Sequence, residues 1–252
     1  MLVLELIERS SLVSSIILNS CLLAIAWLLP KKLLTPAGYL NAWLLGVLVW
    51  LSGGYRAYIV VMFYFLVGSA VTRLGLKRKE AFGIAEKRSG QRGPANVWGS
   101  AATAALCALG VLSVHSSSWS SLLWLGYVAS LSTKLSDTAA SEVGKAYGKR
   151  TFLITTLRPV PAGTEGAVSL EGTLAGMIAS IALSSLGYWV GLTSLLGIIW
   201  CVISAFIATT IESLIGATLQ SKWSWLSNEL VNVVNTLIGA LVAIVLAGIW
   251  GI

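Results

Sequence analysis

Charge is what this sequence has least of. Only 11% of its 252 residues are Asp, Glu, Lys or Arg, and mean hydropathy is +0.84. A soluble globular domain carries about 25% charged residues. The chain therefore offers no soluble domain to present a nucleic-acid-binding face, despite a formal net charge of +7. Histidine is almost missing: His115 stands alone, which argues against a His-based catalytic or metal site. Cys21, Cys107 and Cys201 are an odd set inside apolar stretches. They lack metal-ligand spacing and read as small buried residues. No GxxxxGK[ST] loop occurs. No cleavable leader is expected, because Glu5 and Glu8 precede the first basic residue and no small-residue cleavage motif stands out.

What the chain does have is long apolar runs. Eight stand out, at about 11–29, 38–53, 56–72, 98–114, 119–136, 173–190, 194–216 and 229–250. A span needs about 20 apolar residues, with roughly 17 as a lower limit. The second and third runs are short and are divided only by Ser52-Gly53-Gly54-Tyr55-Arg56. They read as a tight helical hairpin, or as one span beside a re-entrant segment. The expected fold is all-α: one polytopic bundle over residues 1–252 with about eight transmembrane helices, seven being the alternative. On the eight-helix count, every Lys and Arg except Arg9 and Arg56 falls on one side. Positive charge stays in the cytoplasm. The loops 73–97, 137–172 and 217–228 then face inward and form the site, and both termini are non-cytoplasmic.

Polar chemistry collects in those loops. The segment GIAEKRSGQRGPAN at 83–96 interleaves Lys87, Arg88 and Arg92 with Gly90 and Gly93. Arg presents a planar fork to phosphate, and glycine lets backbone N–H groups approach. Asn96 is placed to cap the fourth helix. Lys77, Arg78 and Lys79, just upstream, also suit anionic lipid. Along the fifth helix, Lys134, Asp137, Ser141 and Lys145 share a face. Glu142 lies about 140° round from Asp137 on a straight helix. One ion could join the two carboxylates only if the helix unwinds, and Gly144 and Gly148 allow an early end. The following loop supplies Thr156, Arg158, Gly163, Thr164, Gly166 and Ser169 as hydroxyl, amide and cationic contacts for successive phosphates. Pro159 and Pro161 exclude a continuous helix there. Glu171 suits the positive end of the sixth helix. Glu212 follows a long apolar run, and Asn228, Asn232 and Asn235 make a polar stripe beside Glu229. Such a stripe serves interhelical hydrogen bonding, at about 0.6 kcal/mol per bond. Carboxylate and amide oxygens are also hard ligands for Mg²⁺.

Four stretches carry a family resemblance: GIAEKRSGQRGPAN at 83–96, DTAASEVG at 137–144, LITTLRPVPAGTEGAVSLEGTLAG at 153–176, and ESLIGA at 212–217 with NELVNVVNTLIGA at 228–240. Through them the chain resembles a family of integral membrane proteins that includes the phytyl-phosphate kinases of photosynthetic organisms. It is more distantly similar to dolichol kinase and to CTP-using lipid cytidylyltransferases. The resemblance implies phosphoryl transfer from CTP, or another nucleoside triphosphate, to phytyl phosphate, with Mg²⁺. It implies Asp137 and Glu142 as metal and catalytic carboxylates, and Lys87, Arg88, Arg92 and Arg158 as phosphate contacts. Glu229 departs from the family pattern, where an Asp is expected after the Asn. In a cyanobacterium the host would be the plasma or thylakoid membrane.

The expected phosphate-binding set is thus Lys87, Arg88, Arg92, Asn96, Lys145, Thr156, Arg158, Gly163, Thr164, Gly166 and Ser169. The expected metal set is Asp137, Glu142, Glu212, Asn228, Glu229 and Asn232. A lipid cytidylyltransferase would use the same parts but release pyrophosphate. A transporter of an anionic solute would need polar residues through the whole bilayer, and here they gather at one side.

Overall fold

The computed structural model describes residues 2–86, 90–114, 116–220, 222–223 and 225–250, with side chains from residue 11 onward. Eight α-helices follow one another among these residues: α1 (Leu2–Leu28), α2 (Pro36–Thr72), α3 (Leu76–Ala81), α4 (Pro94–Ser113), α5 (Ser117–Tyr147), α6 (Leu170–Trp189), α7 (Leu195–Ile215) and α8 (Asn228–Trp250). A π-helical turn, Gly216–Gln220, extends α7. The short antiparallel strands β1 (Phe152–Leu153) and β2 (Ala167–Val168) close the loop after α5.

The two short apolar runs form a hairpin within α2. Gly54 has φ 56° and ψ −149°, a conformation natural to glycine. Beyond it the chain reverses. The rings of Trp50 and Tyr58 sit 5.5 Å apart, whereas eight residues of straight helix rise about 12 Å. The remote ends also meet: Arg73 Nη2 donates to the Lys32 carbonyl at 3.1 Å. The arms 36–53 and 55–72 each rise about 27 Å, close to the ~30 Å hydrocarbon core. Neither arm is a re-entrant fragment.

Among the described residues, six helices are long and apolar enough to cross a membrane: α1 (over Ser11–Leu28), α2, α4, α6, α7 with its π turn, and α8. The hairpin makes α2 two passes. Helix α5, at 31 residues, is also long enough to span but richer in Ser, Thr, Lys and Asp than those six. It needs no apolar surface, because every residue from Leu125 to Ala139 is buried by its neighbours. Helices α2, α4, α6, α7 and α8 all pack on it.

Small residues set that packing. A β-carbon on Gly172 would come within 2.5 Å of the Ala140 carbonyl, and one on Gly176 within 2.9 Å of Ser136 Oγ. A β-carbon on Gly239 of α8 would strike Thr133 Oγ1 at 2.1 Å. These are close backbone approaches of the small-xxx-small kind. Helix α1 stands outside this core against α2, tied by Tyr58 Oη donating to Asn19 Oδ1 at 2.9 Å. Its Cys21 is therefore exposed, unlike the buried Cys107 and Cys201; the expectation that all three are buried fails at the peripheral helix. The early end that Gly144 and Gly148 allow for the fifth helix does not occur. Helix α5 runs unbroken to Tyr147 and is capped by Gly148, while Gly144 packs against Ser169 and Gly172.

Candidate active site

A cavity of ≈ 790 Å³ opens at the basic end of the bundle. Its walls are the loop before α4, the last turns of α5 and α7, the β1–β2 hairpin, and the first turns of α4, α6 and α8. Three helix N-termini thus border one space. Each presents first-turn backbone N–H groups and the positive end of a helix dipole, both favourable to phosphate, with Gly172 N of α6 and Leu230 N of α8 already donating to Ser169 and Ser227.

Two buried ion pairs organise the α5 wall. Glu142 Oε2 accepts from Lys79 of α3, and Lys145 lies 3.5 Å from Oε1. Lys79 is wholly buried and also donates to the Thr72 carbonyl at 2.7 Å. Burial removes Lys79 from the cluster suited to anionic lipid, of which Lys77 and Arg78 are exposed. One turn deeper, Lys134 Nζ donates to Asp137 Oδ2 and, at 2.7 Å, to Asn232 Oδ1 of α8. Because α5 stays helical, Asp137 and Glu142 diverge as their spacing dictates. Asp137 turns toward α8 and Glu142 toward α3.

The loop before α4 is fixed from both sides. Arg92 exchanges backbone hydrogen bonds with Leu33 and Thr35, at 3.0 and 3.1 Å. Its guanidinium lies over Tyr64 at 5.3 Å and donates to Tyr64 Oη at 2.9 Å. Asn96 caps α4 from within the first turn, its Oδ1 accepting from Gly93 N at 2.9 Å. Its Nδ2 reaches Glu229 Oε1 across the cavity at 3.3 Å. The asparagine stripe of α8 divides its work. Asn228 accepts from Gln220 at 2.8 Å, Asn232 accepts from Lys134, and Asn235 is buried deeper in the bundle.

The other expected residues separate into groups. Gly163, Thr164, Gly166 and Ser169 line the cavity. Ser169 is also the N-cap of α6, and Thr164 Oγ1 donates to the Pro161 carbonyl at 2.8 Å within its own turn. Thr156 and Arg158 lie on the exposed hairpin tip and do not border the cavity. Lys87 and Arg88 lie outside the described residues. Glu171 sits in the first turn of α6, as its helix-end role requires. Lys134, Tyr64 and Gln220 border the cavity without having been expected there. Lys134 had a signal, being an ionisable residue at the end of an apolar run. Tyr64 had none.

The hairpin is seated at one glycine. Gly166 has φ 75°, and a β-carbon there would lie 2.5 Å from both the Ser213 carbonyl and Ala217. Gly166→Ala is expected to weaken hairpin docking by about 1–3 kcal/mol. Limited proteolysis would show faster cleavage within 155–165, and an unchanged rate would refute the seat.

Carboxylates outnumber cations on the described lining. Glu86, Asp137, Glu142, Glu165, Glu212 and Glu229 face Arg92, Lys134 and Lys145. No three Asp, Glu, His or Cys side chains converge as a metal cage among the described residues. Glu212 lines the cavity with no hydrogen bond or ion pair there. Such a donor set does not fit a resident ion bound by protein alone. It does fit Mg²⁺ arriving on phosphates, which needs only one or two carboxylates.

No solved structure matches the chain. It is 68% identical to the uncharacterized membrane protein sll0875 of Synechocystis, over 92% of this chain and 89% of that one. It is 47% identical to the chloroplastic protein VTE6 of Arabidopsis thaliana, over 84% of this chain and 65% of that one. It is 29% identical to the uncharacterized membrane protein MJ0933 of Methanocaldococcus jannaschii, over 91% and 92%. Residues 19–240, which contain the whole cavity lining, match the family described as integral membrane protein DUF92, and the chain belongs to that family.

Proposed function

We propose that the protein is a prenyl-phosphate kinase. It transfers the γ-phosphate of CTP, or of another nucleoside triphosphate, to phytyl monophosphate, giving phytyl diphosphate for tocopherol and phylloquinone synthesis. The observation that carries this reading is the placement of the cavity. A polar, phosphate-suited chamber bordered by three helix N-termini sits at the end of an apolar bundle. That is where an amphiphile with an anionic head would meet a water-soluble nucleotide. The resemblance of residues 83–96, 137–144, 153–176, 212–217 and 228–240 to phytyl-phosphate kinases supports the chemistry. The Lys and Arg bias supports placing the cavity on the cytosolic side.

In the transfer, the bond between the γ-phosphorus and the β–γ bridging oxygen breaks. A bond forms from that phosphorus to an oxygen of the lipid monophosphate, and the nucleoside diphosphate leaves. The acceptor is already ionised, so no strong general base is needed and positioning with charge neutralisation dominates. Lys145 and Arg92, with the N–H groups of the α4, α6 and α8 first turns, would hold phosphate oxygens. Lys134 would keep Asp137 oriented through its bonds to Asp137 and Asn232. Mg²⁺ carried on the nucleotide would neutralise phosphate charge and be held by Asp137 and Glu212. The excess of carboxylates over cations among the described lining residues supports that requirement, since it disfavours a bare triphosphate. Below the chamber the bundle is filled by Leu125, Val128, Leu131 and Leu183, which supports an enzyme over a transport path.

The test supplies the purified protein with phytyl monophosphate, Mg²⁺ and CTP labelled separately at the γ-phosphate and the base. Label from the γ-phosphate is expected in the lipid. Base label there would instead make the protein a cytidylyltransferase. Neither label, with other nucleotides and prenyl chains tried on folded protein, would overturn the enzyme reading.

A further inference from the structure

The chamber does not end at its ionic floor. Its wall continues down facing sides of α6 and α7, through Thr173, Met177 and Ser180 on one and Val202, Phe206 and Thr209 on the other. On each helix these residues recur three, four or seven apart, so each set is one face. Ser180 lies ten residues inside α6, about 15 Å along its axis, or roughly half the depth of a ~30 Å hydrocarbon core. None of the six is charged. Met177 and Phe206 are 38% and 49% exposed, so the cleft is open on its outer side as well as toward the chamber. On the opposite side of α6, Gly172 and Gly176 hold the helix against α5. The side toward α7 is the looser one.

We infer that the α6–α7 cleft seats the aliphatic tail of a long-chain prenyl monophosphate and admits it sideways from the membrane, with the phosphate head at Lys145 and the helix N-termini. The inference rests on the prenyl-phosphate reading of the chamber. Polarity carries it: a space charged at one end and uncharged and lipid-open at the other matches one molecule with an anionic head and an aliphatic chain. Val202 and Phe206 are then specificity-determining residues for the chain.

The first test uses the wild-type protein in nanodiscs and an alkyl monophosphate of phytyl length with a diazirine at its far end. Light is expected to attach it to peptides containing Met177 or Phe206, and unlabelled phytyl monophosphate is expected to compete. Competed label confined to other helices would overturn the tail seat. The second test compares Val202→Trp with wild type for binding of phytyl and isopentenyl monophosphate. The indole is expected to weaken the phytyl compound by at least about tenfold and the isopentenyl compound by less than about twofold. Parallel weakening of both, or of neither, would refute the seat. Wild-type protein that binds neither monophosphate would instead refute the prenyl-phosphate reading itself.

Discussion

Lys79→Met is expected to destabilise the protein by about 3 kcal/mol and to take γ-phosphate transfer down with it. The cause is the charge left behind. Glu142 is 2% exposed, and Lys79, its closer partner, is wholly buried. Removing one member of a buried pair strands the other in a medium that solvates it poorly. Lys145 remains 3.5 Å from Oε1 and is a quarter exposed, so it compensates only in part. Replacing both members with apolar groups of similar volume avoids the stranded charge. Lys79→Met combined with Glu142→Leu should therefore regain most of the lost stability, measured as thermal unfolding in detergent. Activity then decides the role of Glu142. If the carboxylate works on the substrate, the restored double variant stays inactive. If the pair is only a tie between α3 and α5, transfer returns with stability, and Glu142 leaves the catalytic set.

Much of this site could be read from the sequence because it depends on local spacing. The angular separation of Asp137 and Glu142 follows from five residues on a helix, and the structure keeps it. Glycines 53 and 54 announced a reversal between two runs too short to be long helices. What could not be read depends on which surface meets which. Lys77, Arg78 and Lys79 are chemically alike in sequence, and only the docking of α3 on α5 selects Lys79 for burial. The extension of α5 to Tyr147 was hidden because Gly144 disfavours a helix in isolation, whereas here its missing side chain admits Ser169 and Gly172. Arg158 sits beside Gly163 in the loop, yet β1–β2 pairing turns it outward while Gly163 faces the chamber.

Glu212→Gln should separate stability from activity in the opposite sense. Most buried carboxylates that lose their charge take a partner's support with them. Glu212 lines the chamber and has no hydrogen bond or ion pair among the described residues. Glutamine keeps its shape and breaks no such bond, so the unfolding temperature should hold. A residue whose loss leaves the fold intact while abolishing turnover is retained for function. If Glu212 and Asp137 jointly receive a nucleotide-borne Mg²⁺, transfer should fall by at least about a hundredfold, the scale of losing one preorganised electrostatic contact. A second readout does not depend on turnover: Mn²⁺ with a non-hydrolysable CTP analogue should give an electron paramagnetic resonance signal of bound ion in wild type. That signal should weaken in Glu212→Gln and in Asp137→Asn alike. An unchanged signal together with wild-type transfer in Glu212→Gln would remove that residue from the site. The ion would then fall to Asp137 with Glu229 or Glu165, further carboxylates that line the chamber without an ion pair among the described residues.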